Sequence, residues 1–216
     1  MQGDAGKVED MRIAGAILAG GQSSRMGANK AVMDFAGEPL LQRVFRRLVA
    51  GLGATNGEMI VIGPKTLKPV VPQAHIIGDI VPAAGPLGGL YTALKTTTAD
   101  RIFLMACDMP LLQPGLVRAM CEYANANPAS DVIVLPQGDH PQPLHTIYAR
   151  SCLPVVERAL ASQDHSMHAL LAQLTVVAIP PDVAHREDPH GFSSFNVNTP
   201  THWREALRLA ADFDAS

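Results

Sequence analysis

The chemistry of this chain is concentrated between residues 18 and 30, which read Leu-Ala-Gly-Gly-Gln-Ser-Ser-Arg-Met-Gly-Ala-Asn-Lys directly behind a short apolar run. Gly20, Gly21 and Gly27 let the backbone turn tightly and aim N–H groups at an anion, while Arg25 and Lys30 put two cations on the same loop. Such a loop suits a triphosphate. It is not a Walker loop, because no Gly-Lys-Ser/Thr follows the glycines, and it lacks the Gly-x-Gly-x-x-Gly spacing of a dinucleotide fold. A second candidate is Asp108, in Ala106-Cys107-Asp108-Met109-Pro110 behind another apolar run. A carboxylate at a strand end can hold a hard divalent cation, and Mg²⁺ suits one or two carboxylates plus phosphate oxygens and water. A third is Asp79, in Ile77-Gly78-Asp79, which precedes Gly85-Pro86-Leu87-Gly88-Gly89. Standing alone, Asp108 could equally cap a turn and Asp79 could be a solvated turn carboxylate.

The first segment resembles the opening signature Leu-x-x-Gly-x-x-x-Arg-Met-Gly-x-x-Lys of the nucleotidyltransferases that activate sugars, alcohols and pterins. In its Leu-Ala-Gly-Gly form it is similar to the molybdenum cofactor guanylyltransferase family. The resemblance implies transfer of GMP from GTP to the phosphate of molybdopterin, with release of pyrophosphate and with Mg²⁺ held by Asp108. It carries nucleotide contact onto Leu18, Ala19, Gly20, Gly21, Arg25, Lys30, Asp79, Gly88 and Asp108, with Arg25, Lys30 and Asp108 acting on the reaction itself. The later segments Asp139-His140-Pro141-Gln142-Pro143-Leu144-His145 and Phe195-Asn196-Val197-Asn198-Thr199-Pro200 resemble the family's acceptor side, which places Asn196, Asn198 and His145 toward the pterin. Asn198, ahead of Thr-Pro, is equally suited to cap a helix. The partners implied are GTP, molybdopterin, and molybdoenzymes or cofactor-handling proteins. After the second strand this chain has Gly63 where guanylyltransferases can carry Asn, a departure that leaves a base or ribose contact there open. A CTP-dependent molybdopterin cytidylyltransferase and a sugar- or alcohol-phosphate nucleotidyltransferase remain alternatives. Gly20, where the cytidylyltransferases tend to carry Ala, favours GTP. A nucleotide-binding regulator that kept the fold and lost turnover is the reading from a different class; Arg25, Lys30 and Asp108 all argue against it.

The elements that must hold these residues follow from the hydrophobic pattern. Ile13–Leu18 is a continuous apolar run, as expected of a strand buried on both faces of a parallel sheet. From Pro39, placed in a first helical turn, Leu40, Leu41, Val44, Phe45, Leu48, Val49 and Leu52 recur at helical spacing. Further strands are expected at Met59–Ile62, Ala74–Gly78, Arg101–Cys107, Asp131–Leu135, Leu144–Tyr148 and Thr175–Ile179. Helices are expected from Gly85, from Pro114 to about Tyr123, over Leu153–Leu160, over Met167–Leu171 and at the end around Trp203 and Leu207. Residues 179–194, with Pro, His, Asp and Gly, read as an irregular and mobile loop. Alternating strands and helices predict an α/β chain with a mostly parallel sheet flanked by helices on both faces, a three-layer α/β/α arrangement of Rossmann-like nucleotidyltransferase type. Ligands in such sheets sit at the carboxyl ends of the strands, where both Gly20 and Asp108 fall.

Composition bounds the rest. The 216 residues suffice for one α/β domain, expected over 12–216 behind a polar, disordered extension at 1–11. The charged fraction of 17% and hydrophobic fraction of 47% are those of a globular protein, and no apolar run has the length to span a bilayer. A formal charge of −3 spreads no basic field that would grip nucleic acid or acidic lipid. Three widely spaced cysteines form neither a disulfide framework nor a thiolate metal site, and the first ten residues hold no apolar signal core, so the reading is cytoplasmic.

Overall fold

In a computed structural model, which describes residues 11–20, 29–53, 56–135, 141–162 and 164–214, the apolar run Ile13–Leu18 is strand β1 in the interior of a seven-stranded sheet. Residues 1–10 and the loop bearing Gly21, Arg25 and Gly27 lie outside the described residues, as do Asp139 and His140. A short hairpin, β2 (Asp34–Phe35) and β3 (Glu38–Pro39), leads into helix α1 (Leu40–Leu52). The chain then forms β4 (Asn56–Ile62), β5 (His75–Ile77), α2 (Pro86–Thr96), β6 (Arg101–Ala106) and α3 (Pro114–Ala126). It continues with β7 (Val132–Val134), β8 (Thr146–Ala149), α4 (Leu153–Ala161), α5 (Met167–Leu171) and β9 (Val176–Ala178). Helices α6 (Pro181–Glu187) and α7 (Pro200–Asp214) close the chain.

The strand order is β5-β4-β1-β6-β8-β7-β9. All neighbours run parallel except β8, which is antiparallel to both β6 and β7. The chain winds outward from β1 to β5 and then returns to the other side of β1 as β6. That reversal makes the carboxyl ends of β1 and β6 the switch point at which such sheets bind ligands.

Side chains alternate across β1, so Ile13 and Ile17 face one layer while Ala14 and Ala16 face the other. The first layer is α1 and α3, through residues such as Leu41, Leu48, Leu116 and Met120 packed with Phe103 and Met105. The second is α2, α4 and α5, through Leu90, Leu94, Val156 and Leu170 packed with Ile60 and Leu104. Each fully buried aliphatic side chain here contributes about 1.5–3 kcal/mol, so both layers are strongly held to the sheet. A third, smaller cluster joins the hairpin to the last helix, with Phe35, Leu40, Leu111, Val197 and Trp203. Phe35 and Trp203 meet edge to face with ring centroids 5.3 Å apart.

Three expectations need correction. Pro39 ends β3 and stands one residue ahead of α1, because Ala36 and Gly37, both at positive φ, form a tight hairpin turn just before it. Residues 179–194 are not irregular throughout: Pro181 starts the seven-residue α6, which packs on α3 through the partly buried Ala184. The predicted strand at Leu144–Tyr148 begins only at Thr146, since His145 takes a positive φ of 73° that no strand residue adopts.

Candidate functional site

The register of the two central strands sets Leu18 beside Ala106, so the glycine turn after β1 and Asp108 after β6 emerge at the same edge. Two backbone bonds fix this. The Cys107 amide donates to Leu18 O at 3.0 Å, and the Ala19 amide donates to Ile62 O at 2.8 Å. Leu18 and Ala19 are thereby anchored in the sheet, and the Ala19 N–H is already engaged, whereas Gly20 is exposed at the mouth of the turn. Among the described residues, a methyl group on Gly20 would meet Ile62 O at 3.6 Å and Gly63 Cα at 3.7 Å, both ordinary contacts. Packing against β4 and the residue after it therefore does not require glycine at this position.

Lys30 opens a short 3-10 turn, Lys30–Val32, and its side chain is driven inward to 10% exposure. Its ammonium donates to Val197 O at 2.6 Å and Asn198 Oδ1 at 3.1 Å, and it lies 3.4 Å from Asp108 Oδ2. The Val197 amide donates to Asp108 O at 2.9 Å, so residues 195–198 are laced to both halves of the pair. The Asp108 loop is held from beneath by two arginines one turn apart on α1. Arg43 Nε donates to Pro110 O at 2.9 Å, and Arg47 Nε to Leu112 O at 2.6 Å.

Asp108 Oδ1 is buried and has no hydrogen-bond partner among the described residues, although Oδ2 faces Lys30. A buried carboxylate oxygen left without a donor is costly unless something absent from the protein itself satisfies it. A divalent cation that completes its shell with phosphate oxygens and water fits this arrangement. Among the described residues no group of three or more His, Cys, Asp or Glu converges on one point, which argues against an all-protein metal cage. The neighbouring Cys107 thiol is pushed up to about 12 by burial and then by the Asp108 charge, so it stays protonated and is no nucleophile.

Asp79 follows β5, and its Oδ1 accepts from the Val81 amide at 2.9 Å and from the Thr92 hydroxyl at 3.0 Å. Gly88, expected to touch the nucleotide, is buried under this turn: a Cβ there would collide with Val81 O and stand 3.2 Å from Asp79 Oδ1. Its absence of a side chain seats the 79–81 turn on α2. Next to it, a Cβ on Gly89 would come within 2.5 Å of Leu18 Cδ2, so α2 is drawn close against the end of β1.

The acceptor-side candidates are not equivalent. Asn198 turns inward to Lys30, and the capping role falls to Thr199, whose Oγ1 accepts from the His202 amide at 3.1 Å. Asn196 is half-buried on the same strap. His145 does not face the site as expected: its ring is 0% exposed and tilted against Phe103 at 5.4 Å, and neither ring nitrogen has a partner at hydrogen-bond geometry among the described residues, the backbone of Ser193 being near. Burial lowers its pKa to about 4, despite the nearby Asp188 charge, and the ring is neutral at pH 7. Asp188 braces the strap's approach, accepting from the Phe192 and Ser193 amides, while Ser193 Oγ accepts from the Gln113 amide at 2.9 Å. Nothing in the sequence marks the Arg43 and Arg47 braces, because each acts on a carbonyl more than sixty residues away, whereas the Asp188 brace is local, reaching amides four and five residues on. Thr92 could have been noticed, since it lies one helical turn beyond Gly88.

Comparison with known proteins places this geometry. Residues 15–178 match the MobA-like NTP transferase domain. A molybdenum cofactor guanylyltransferase of Vibrio cholerae is 32% identical over 187 residues, 85% of this chain and 86% of that protein. A probable molybdenum cofactor guanylyltransferase of Carboxydothermus hydrogenoformans is 31% identical over 198 residues, 90% of this chain and 94% of that protein. Among solved structures, molybdopterin-guanine dinucleotide biosynthesis protein A of Archaeoglobus fulgidus superposes with a TM-score of 0.77 at 23% identity, covering 92% of this chain and 99% of that one. With the family matched across most of the chain and a buried Lys30–Asp108 pair at the switch point of the sheet, the chain belongs to the MobA-like NTP transferase family.

Proposed function

We propose that this protein transfers GMP from GTP to the terminal phosphate of molybdopterin and releases pyrophosphate. The observation that carries the reading is the convergence of the β1 turn, buried Lys30 and a carboxylate with one oxygen that no described residue satisfies. It stands in a chain 32% identical to a named molybdenum cofactor guanylyltransferase. Asp108 Oδ1 would hold Mg²⁺, which when bound supplies positive charge to the α- and β-phosphates. The triphosphate lies over the turn from Leu18 to Gly20 and is shared with Lys30, and Gly21 and Arg25 belong to the same loop.

A phosphate monoester is mostly a dianion at neutral pH, its second pKa being about 6. The acceptor oxygen therefore needs no general base. It forms a bond to the α-phosphorus while the bridging bond to the β-phosphate breaks, and the electron pair leaves on pyrophosphate. The residues of this chain align the reactants and offset charge on the leaving group; Lys30 does so from a fixed position, because Val197 O and Asn198 Oδ1 hold its ammonium in place. Asn196 and Asn198 line the strap on the acceptor side. No helix among the described residues is long and apolar enough to cross a membrane, and we place the enzyme in the cytoplasm with cofactor-handling proteins or molybdoenzymes as recipients.

The test is pyrophosphate release with GTP, CTP and UTP, with and without molybdopterin. Release that requires both GTP and molybdopterin is expected. Release with CTP instead would make the protein a cytidylyltransferase, and GTP binding without any release would make it a nucleotide-binding regulator.

A further inference from the structure

The turn at 79–81 carries a hydrogen-bond arrangement that the proposed phosphate chemistry does not use. The Thr92 hydroxyl is fully buried on α2 and fills both of its roles: it donates to Asp79 Oδ1 at 3.0 Å and accepts from the Ile80 amide at 2.9 Å. With the Val81 amide also on Oδ1 at 2.9 Å, that oxygen has two donors. Asp79 Oδ2 has none among the described residues. The carboxylate is thus locked in rotation with one oxygen spent on the protein and the other free to accept. Gly88, one helical turn before Thr92, lets the turn sit low enough for the hydroxyl to reach.

Position in the sheet says what this oxygen meets. Asp79 follows β5 and Asp108 follows β6, and β4 and β1 lie between them. Three strand spacings separate the two carboxylates, about 14 Å. With the triphosphate at Asp108, the span fits a nucleoside reaching across β1 and β4, so its neutral O–H or N–H donors arrive at Asp79.

We infer that Thr92 is a positioning residue for nucleotide selection, orienting Asp79 so that Oδ2 accepts from donors on the nucleoside. The inference rests on the nucleotide placement proposed above. The donor is a ribose hydroxyl or the N1–H and N2–H₂ edge of guanine, and either gives a carboxylate its charge-assisted bond.

The experiment compares wild type, Thr92→Val, Thr92→Ser and Asp79→Asn in steady-state pyrophosphate release with molybdopterin, alongside thermal melting. Thr92→Val should raise the KM for GTP about tenfold, the effect of loosening one charge-assisted bond, with kcat within about twofold. Thr92→Ser, which keeps the hydroxyl, should return KM to the wild-type value. In wild type, inosine triphosphate lacks the exocyclic amine and 2′-deoxy-GTP and 3′-deoxy-GTP each lack one hydroxyl. The analogue whose KM ceases to respond to Thr92→Val identifies the donor. An unchanged KM in Thr92→Val, with a raised KM in Asp79→Asn, overturns the role of Thr92 while leaving Asp79 in place. An unchanged KM in Asp79→Asn removes Asp79 from the nucleotide site and the inference with it. Equal losses in Thr92→Val and Thr92→Ser, tracking their melting temperatures, would also overturn it, since only packing would then be at stake.

Discussion

Replacing Lys30 by Met keeps the length of the side chain and removes the charge that joins three parts of the site. In wild type the ammonium is held at 2.6 Å by Val197 O, at 3.1 Å by Asn198 Oδ1 and at 3.4 Å by Asp108 Oδ2. Asn198 is exposed, so its side chain recovers water when the lysine goes. The Val197 carbonyl does not, and a buried acceptor left alone costs about 1–3 kcal/mol. Asp108, whose side chain is 18% exposed, loses its counter-charge; a partly hydrated carboxylate suffers about 1–2 kcal/mol, less than the 3–5 kcal/mol of a fully buried pair. The sum is about 2–5 kcal/mol, or a fall in Tm of roughly 4–20 °C for a chain of this size. Turnover should fall at least about 100-fold, the usual consequence of removing a fixed charge from a phosphoryl-transfer site. Because the cation next to Asp108 is gone, Mg²⁺ should raise the Tm of the variant more than it raises that of wild type. Differential scanning calorimetry with and without Mg²⁺, paired with pyrophosphate release, reads all three quantities. A Tm within about 2 °C of wild type would refute the idea that Lys30 ties the strap to the strand ends.

Other perturbations isolate other parts. Asp108→Asn retains the shape of the side chain but weakens its hold on a cation, and it should abolish Mg²⁺-dependent heat with GTP in calorimetry while the protein stays folded. His145→Asn tests the buried imidazole. Its folded pKa of about 4 lies below the ordinary 6.5, so the unfolded chain binds the extra proton and stability falls as pH drops through this window. Wild type should lose about 2 kcal/mol between pH 7 and pH 5 from this group alone. The Asn variant, able to adopt the positive φ at this position, should show a flatter Tm profile over the same range. Gly20→Ala should leave Tm unchanged, because among the described residues the methyl meets nothing closer than 3.6 Å, yet should raise the KM for GTP about tenfold by occupying space at the ligand's edge. Equal KM values would mean that the nucleotide passes elsewhere.

The sequence alone determined where the glycine turn and the aspartate stand in the chain and which end of the sheet they occupy. A glycine turn behind Ile13–Leu18 and an aspartate behind Arg101–Ala106 read as strand-end features because apolar runs bounded by turn residues are local signals. The layered architecture followed from the alternation of such runs with helical spacing. Three-dimensional packing decided the rest. It reversed β8, buried His145 against Phe103, moved the cap of α7 from Asn198 to Thr199, and brought Lys30 onto a carbonyl 167 residues away. Periodicity reports which face of an element is apolar, but it does not report which distant backbone carbonyl a buried cation will meet. That choice is made by chain segments that share no neighbourhood in sequence and become neighbours only when the sheet closes around β1.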